Sequence, residues 1–129
     1  MIDEALFESE NAQKNIEYVE QKYGDTLEYL WRKFPNNAIW RRKDNRKWYA
    51  ALLKIPKSKL GLVSNECVEI LNVKVDCAEI DFLVDCQKYF AGYHMNKKHW
   101  VTICLDGSVD FEELCERIDA SYLLAKKRG

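Results

Sequence analysis

The stretch Ala38-Ile39-Trp40-Arg41-Arg42-Lys43-Asp44-Asn45-Arg46-Lys47-Trp48-Tyr49-Ala50-Ala51-Leu52-Leu53-Lys54-Ile55 decides the fold class. Two β-prone runs flank a polar centre, and Asp-Asn is good turn chemistry, because both side chains bond their own backbone and tolerate left-handed φ. The stretch reads as a β-hairpin, with Pro56-Lys57-Ser58-Lys59-Leu60-Gly61 as a basic loop beside it. Working outward, Val68 to Val75 alternates partly and reads as a third strand. Its Val68, Ile70 and Val73 bracket a change of face, which leaves room for a bulge. His99-Trp100-Val101-Thr102-Ile103-Cys104-Leu105 is a further strand.

Helices fill the intervals. Ile16, Val19 and Tyr23 fall at helical spacing within an amphipathic region from about Ile2, with room for a break near Ser9 to Asn11 and a stop at Gly24. Asp25-x-x-Glu28 resembles a capping box for a short turn through Phe34. Asp76-x-x-Glu79 resembles another, followed by Ile80, Leu83, Val84 and Tyr89 at helical spacing. Asp110-x-x-Glu113 opens a last helix with Phe111, Leu114, Cys115, Ile118, Tyr122 and Ala125 on one stripe, closed by Lys126-Lys127-Arg128 where cations suit the helix dipole. The order is helix, three antiparallel strands, helix, one or two strands, helix. That is an α+β domain with helices against one sheet.

At 129 residues the chain predicts one domain, 1–129, whose first 30 residues form an amphipathic helical region. Apolar residues at 47% and charged residues at 32% fit a globular protein and argue against disorder. The longest apolar run, Trp48 to Leu53, is far short of the roughly 18 residues of a membrane span. The acidic start MIDEALFESEN lacks the pattern of a secretory signal, so the cytoplasm is the expected compartment. The five cysteines contain no CxxC pair and read as reduced, small hydrophobes.

The net charge of −1 conceals a strong asymmetry. Residues 1–30 hold eight acids against two lysines, whereas residues 31–59 hold ten basic residues against Asp44 alone. Such a field bears on partners rather than on fold.

Gly92-Tyr93-His94-Met95-Asn96-Lys97-Lys98-His99-Trp100, with Thr102, Leu105-Asp106-Gly107-Ser108 and Asp119-x-Ser121-Tyr122, resembles the C-terminal signature of the MmcQ/YjbR-like family. Asn45-Arg46-Lys47-Trp48-Tyr49-Ala50 and Leu71-Asn72-Val73-Lys74 match it upstream, so the resemblance runs from about Phe34 to Leu124. Val75-Asp76-Cys77 stands where the family usually has Cys-Asp-Pro, which keeps the Asp cap but loses the proline. The resemblance implies a two-layer α/β sandwich of the secretion-chaperone-like type. Members are commonly labelled DNA-binding, because the sheet presents wing-like hairpins, and no reaction is established for the family.

The residues weigh the same way. His94 and His99 lack a nearby thiol or acid, so neither a metal nor a cofactor is expected. No serine or cysteine sits in a recognisable nucleophile elbow, although His94, His99, Asp106 and Asp119 could converge on a general base, so a non-enzymatic protein is expected. In the block 92–100, Trp100 reads as core, Asn96 as the turn, and Lys97 and Lys98 as solvated.

The leading functional expectation is nucleic-acid binding, to DNA first and otherwise RNA, through the basic β-hairpin as a wing with a solvent-facing tip, joined by neighbouring basic loops into one surface. Its candidates are Arg41, Arg42, Lys43, Arg46 and Lys47 of the hairpin, Lys57 and Lys59 of the loop, and His94, Asn96, Lys97 and Lys98, with Trp40, Tyr49 and Tyr93 available to stack on bases. The alternatives are that the hairpin merely answers the acidic N-terminal helix, or that the partner is a protein or peptide held on an apolar patch of the sheet.

Overall fold

A computed structural model of the chain describes residues 7–126. Five antiparallel strands form one sheet in the order β1-β2-β3-β5-β4: β1 (Asn37–Arg41), β2 (Trp48–Pro56), β3 (Cys67–Lys74), β4 (Tyr89–Ala91) and β5 (Trp100–Cys104). Helices α1 (Glu10–Tyr23) and α3 (Phe111–Leu124) cover one face, and α2 (Ile80–Leu83) is a single turn. The expected α+β architecture, with two strands after the middle helix, is the one found.

Local chemistry sets the helix ends. Ser9 caps α1 by accepting from the Ala12 amide, and the helix stops at Gly24, whose φ of 70° is left-handed and whose N–H closes on the Glu20 carbonyl. Asp110 caps α3 by accepting from the Glu113 amide at 2.9 Å. The expected helix before Ser9 falls largely on residues 1–6, and the closing Lys127-Arg128 pair on 127–129. Both lie outside the described residues.

Both faces of the sheet are apolar. Ala38, Trp40, Leu52, Leu71, Val73, Val101 and Ile103 face the helices and pack with Ala12 and Val19 of α1 and Leu114 and Ile118 of α3. Ile39, Ala51, Leu53, Ile55, Val68, Ile70, Phe90 and Cys104 line the other face, which among the described residues carries no α-helix and is partly covered by Leu60 of a short 3-10 helix (Lys57–Leu60), Leu62, Trp48 and Tyr93. This accounts for the poor alternation of β3, where residues 68–73 are all buried.

Three expectations need correction. The bulge lies at the β1–β2 pair and not in β3: Trp40 pairs with Ala50 but Arg41 with Trp48, leaving Tyr49 as the extra residue. Tyr49 and Ala50 consequently share the helix side while Trp48 joins the open side. The segment after Gly24 is no helix. Glu28 bridges Ile39 on the outer edge of β1, with N–H to carbonyl bonds of 2.8 and 3.0 Å, and Asp25 instead accepts the Tyr49 hydroxyl at 2.6 Å. Finally, the helix expected through Tyr89 ends at Leu83. The Asp85 carboxylate accepts the amides of Gln87, Lys88 and Tyr89, forming a turn that competes with helix and delivers Tyr89 into β4. Those three donors hold the Asp85 pKa at about 2.

Candidate functional site

The basic hairpin is tied down from inside the molecule. Arg42 is 6% exposed. Its guanidinium makes two bonds to Asp44, at 2.9 and 2.7 Å, donates to the Tyr122 carbonyl at 2.9 Å, and lies 4.0 Å from the Tyr122 ring centroid. Asn45 donates to the Ala125 carbonyl at 2.9 Å. Two hairpin side chains thus serve carbonyls at the C-terminal end of α3, the electronegative end of the helix. Arg41 sits 3.1 Å from Glu28, and Lys43 donates to the Gly24 carbonyl at 2.9 Å and lies 3.7 Å from Asp25. The acidic residues that answer the hairpin are therefore Asp25 and Glu28, both just after α1, and the hairpin's own Asp44.

This corrects the picture of a wholly solvent-facing wing. Arg41 and Arg42 are drawn into the fold, the Lys43 side chain reaches Gly24 while staying 71% exposed, and Trp40 and Tyr49 are fully buried and cannot stack on a ligand. Arg46 is exposed at the turn, with a left-handed φ of 66°, and Lys47 is half-buried. In the following loop Lys59 is exposed and Lys57 approaches Glu66 at 4.0 Å.

The block 92–100 is anchored by a closed set of hydrogen bonds. The Tyr93 N–H donates to the Thr102 hydroxyl at 2.8 Å, that hydroxyl donates to the Asn72 carbonyl oxygen, and the Asn72 amide returns to the Tyr93 carbonyl at 3.1 Å. Asn72 and Thr102 face each other across β3 and β5, so one pair of strands holds the loop against the open face. Gly92 is required here, because a Cβ would lie 2.9 Å from both the Cβ and the carbonyl oxygen of Trp100. Asn96 makes the turn, its side chain accepting the Lys98 amide at 2.9 Å. His94, Asn96, Lys97 and Lys98 are exposed and Trp100 is buried. Lys97 donates to the Gly92 carbonyl at 3.1 Å.

Between this loop and the segment before β1 lies a groove of about 440 Å³ on the open face. Ile39, Ala51, Leu53 and Ile55 form its floor. Trp31, Phe34 and Trp48 stand on one side, and Tyr93, His94 and Met95 on the other. Trp31 and Trp48 meet edge to face at 5.7 Å, and Tyr93 packs on the His94 ring at 4.0 Å. Trp31 and Phe34 are 36% and 58% exposed. Among the described residues no carboxylate lines this groove. Of the expected stacking residues only Tyr93 reaches it. Trp31 and Phe34 come from a segment distant in the chain from Trp48 and Tyr93, and their signal in the sequence is two large aromatics flanking Arg32-Lys33 in a stretch that reads as a helical turn.

The Asp119-x-Ser121-Tyr122 motif joins three elements. Asp119 accepts the hydroxyls of Tyr18 and Tyr23, each at 2.6 Å, and the Lys22 ammonium at 2.9 Å. Burial would raise its pKa, but these donors outweigh burial and hold it below the ordinary carboxylate value. Burial and the same carboxylate push the Tyr23 hydroxyl well up. Ser121 donates to the Tyr49 carbonyl and accepts the Lys74 amide at 2.8 Å. The Tyr122 ring stacks on Tyr23 at 3.9 Å and receives Arg42 on it. Asp119 is thereby committed to α1, and Asp106 accepts both the amide and the hydroxyl of Ser108. Among the described residues no group of three His, Cys, Asp or Glu side chains is placed to hold a metal ion, and no helix is long and apolar enough to cross a membrane.

Comparison with known proteins agrees with this fold. The chain is 36% identical over 111 residues to the uncharacterized protein YyaQ of Bacillus subtilis (strain 168), covering 86% of this chain and 94% of that one. A crystal structure of a Pseudomonas syringae protein superposes with a TM-score of 0.84 at 35% identity, covering 88% of this chain and 97% of that one. A Deinococcus radiodurans protein gives 0.68 at 26% identity, over 91% and 80% of the two chains. The YjbR family model matches residues 20–124, starting earlier than Phe34 and so taking in the Tyr23–Asp25 corner to which Asp119, Tyr122 and Tyr49 are bonded or stacked. With most of its length matched by that model and by its relatives, the chain belongs to the YjbR family.

Proposed function

We propose that this protein is a non-enzymatic nucleic-acid-binding protein, and that the open face of the sheet, rather than the hairpin tip, takes the phosphates. The observation that carries this reading is the absence of acids, among the described residues, from the groove and from the two segments that supply its rims. Trp31 and Phe34 belong to residues 29–43, and Tyr93 and His94 to residues 86–105, and neither segment contains an acid. Lys54 lines the groove itself; Arg32 and Lys33 are exposed in the chain between Trp31 and Phe34, and Lys97 and Lys98 are exposed shortly after Met95. Phosphates are held by such cations wherever they lie within reach of one track. The commitment of both oxygens of Asp119 to Tyr18, Tyr23 and Lys22 supports a role without catalysis, because that acid is not left to orient a histidine base.

Fluorescence titration with oligonucleotides at about 50 and 200 mM salt tests the reading. If four phosphates are neutralised, affinity should fall by roughly 50- to 150-fold over that range through counterion release. Replacing Arg32, Lys33, Lys97 and Lys98 together by serine should remove most of the affinity and flatten the salt slope. Absence of binding at the lower salt, or a variant that binds like the parent, contradicts it. The apolar groove floor favours a second reading, a protein or peptide ligand, whose affinity would be nearly independent of salt.

A further inference from the structure

We infer that the groove admits unpaired bases, so that the nucleic acid bound is single-stranded; this rests on the nucleic-acid reading above. A duplex hides its base faces in the stack and presents only edges and phosphates. The groove instead offers ring faces and edges: Trp31, Phe34 and Trp48 on one side, and Tyr93 backed by His94 on the other. Stacking on such rings is tolerant of sequence, because every base has a π-face. The buried polar group at the groove, Asn72, has its amide and carbonyl occupied by Tyr93 and Thr102, which suits a site selecting rings over hydrogen-bonding edges. Lys54 lines the groove, and exposed cations adjoin its lining residues in the chain, Arg32 and Lys33 between Trp31 and Phe34 and Lys97 and Lys98 shortly after Met95, as a bound strand's phosphates require.

The competing occupant, an extended peptide added as a sixth strand, meets closed edges. Ile39 on the outer edge of β1 is already paired with Glu28, and the Tyr89 carbonyl on β4 accepts the amides of Asp85 and Cys86. A peptide would have to lie in the groove without backbone pairing.

The test uses the full chain and three labelled probes at low salt: an oligothymidylate strand, its duplex with oligoadenylate, and an abasic strand of equal length. Oligothymidylate should bind on the order of tenfold or more tighter than either of the others, with quenching of tryptophan fluorescence. Phe34→Ala, at an exposed position, should fold normally and lose that advantage while keeping the salt dependence of the abasic strand. If all three probes bind equally and with a steep salt dependence, the inference falls and the phosphate reading stands. If none binds, both fall. Salt-independent binding of an apolar peptide that oligothymidylate cannot displace would also overturn the inference.

Discussion

Replacing Trp40 by alanine should destabilise the protein by about 3–5 kcal/mol, the usual cost of emptying a fully buried large aromatic site. Trp40 is 0% exposed, faces the helices from β1, and packs in the same cluster as Tyr49, Leu52 and Leu71. Truncation leaves a cavity between sheet and helices that neighbours from three elements cannot fill together. Urea unfolding should show a lowered midpoint with little change in slope. Trp31→Ala, at the groove rim, should move the midpoint far less. If the two variants rank the other way, the assignment of Trp40 to the core and Trp31 to the binding face is wrong.

Arg42→Ala should cost about 2–3 kcal/mol, whereas Arg46→Ala should stay within about 0.5 kcal/mol. Arg42 is a buried cation whose bonds reach Asp44 and the Tyr122 carbonyl while its guanidinium covers the Tyr122 ring. Removing it leaves the Tyr122 carbonyl without this donor and the ring stack of Tyr23 and Tyr122 uncovered on one side. Asp44, largely exposed, can return to water, which keeps the cost below that of breaking a fully buried ion pair. Equal stability of both variants, measured by chemical denaturation, would contradict the structural role given to Arg42. A hairpin stripped of all its cations should therefore lose stability as well as charge, in contrast to the solvent-facing tip expected from sequence.

The elements that could be read from sequence are those set by neighbouring residues. The hairpin, β5, α1 and α3 follow from alternation, from helical spacing, and from the caps at Gly24 and Asp110, all of which act within one turn or one strand. The misread segments were decided by partners far along the chain. Asp25 and Glu28 have the pattern of a capping box, but Tyr49 and Ile39 claim them first. Tyr89 continues a helical spacing, yet Asp85 folds the intervening residues into a turn. Burial of β3 on both faces looked like a change of register, since alternation reports a face only where one face is wet. The site divides similarly. The block from Gly92 to Trp100 was legible as the architectural lead into a strand with two solvated lysines. The groove was not, because Trp31, Trp48 and Tyr93 become neighbours only after the sheet has formed and the bulge at Tyr49 has turned Trp48 to the open face.

Two-dimensional amide NMR of the isotope-labelled protein during titration with oligothymidylate asks most directly which surface binds. Signals of Trp31, Phe34, Tyr93, His94, Lys97 and Lys98, together with the indole N–H of Trp31 and Trp48, should shift in a saturable way, while those from Arg42 to Lys47 change little. Shifts confined to Arg42 through Lys47, with the indoles of Trp31 and Trp48 unmoved, would place the interface on the hairpin and contradict the assignment to the open face of the sheet.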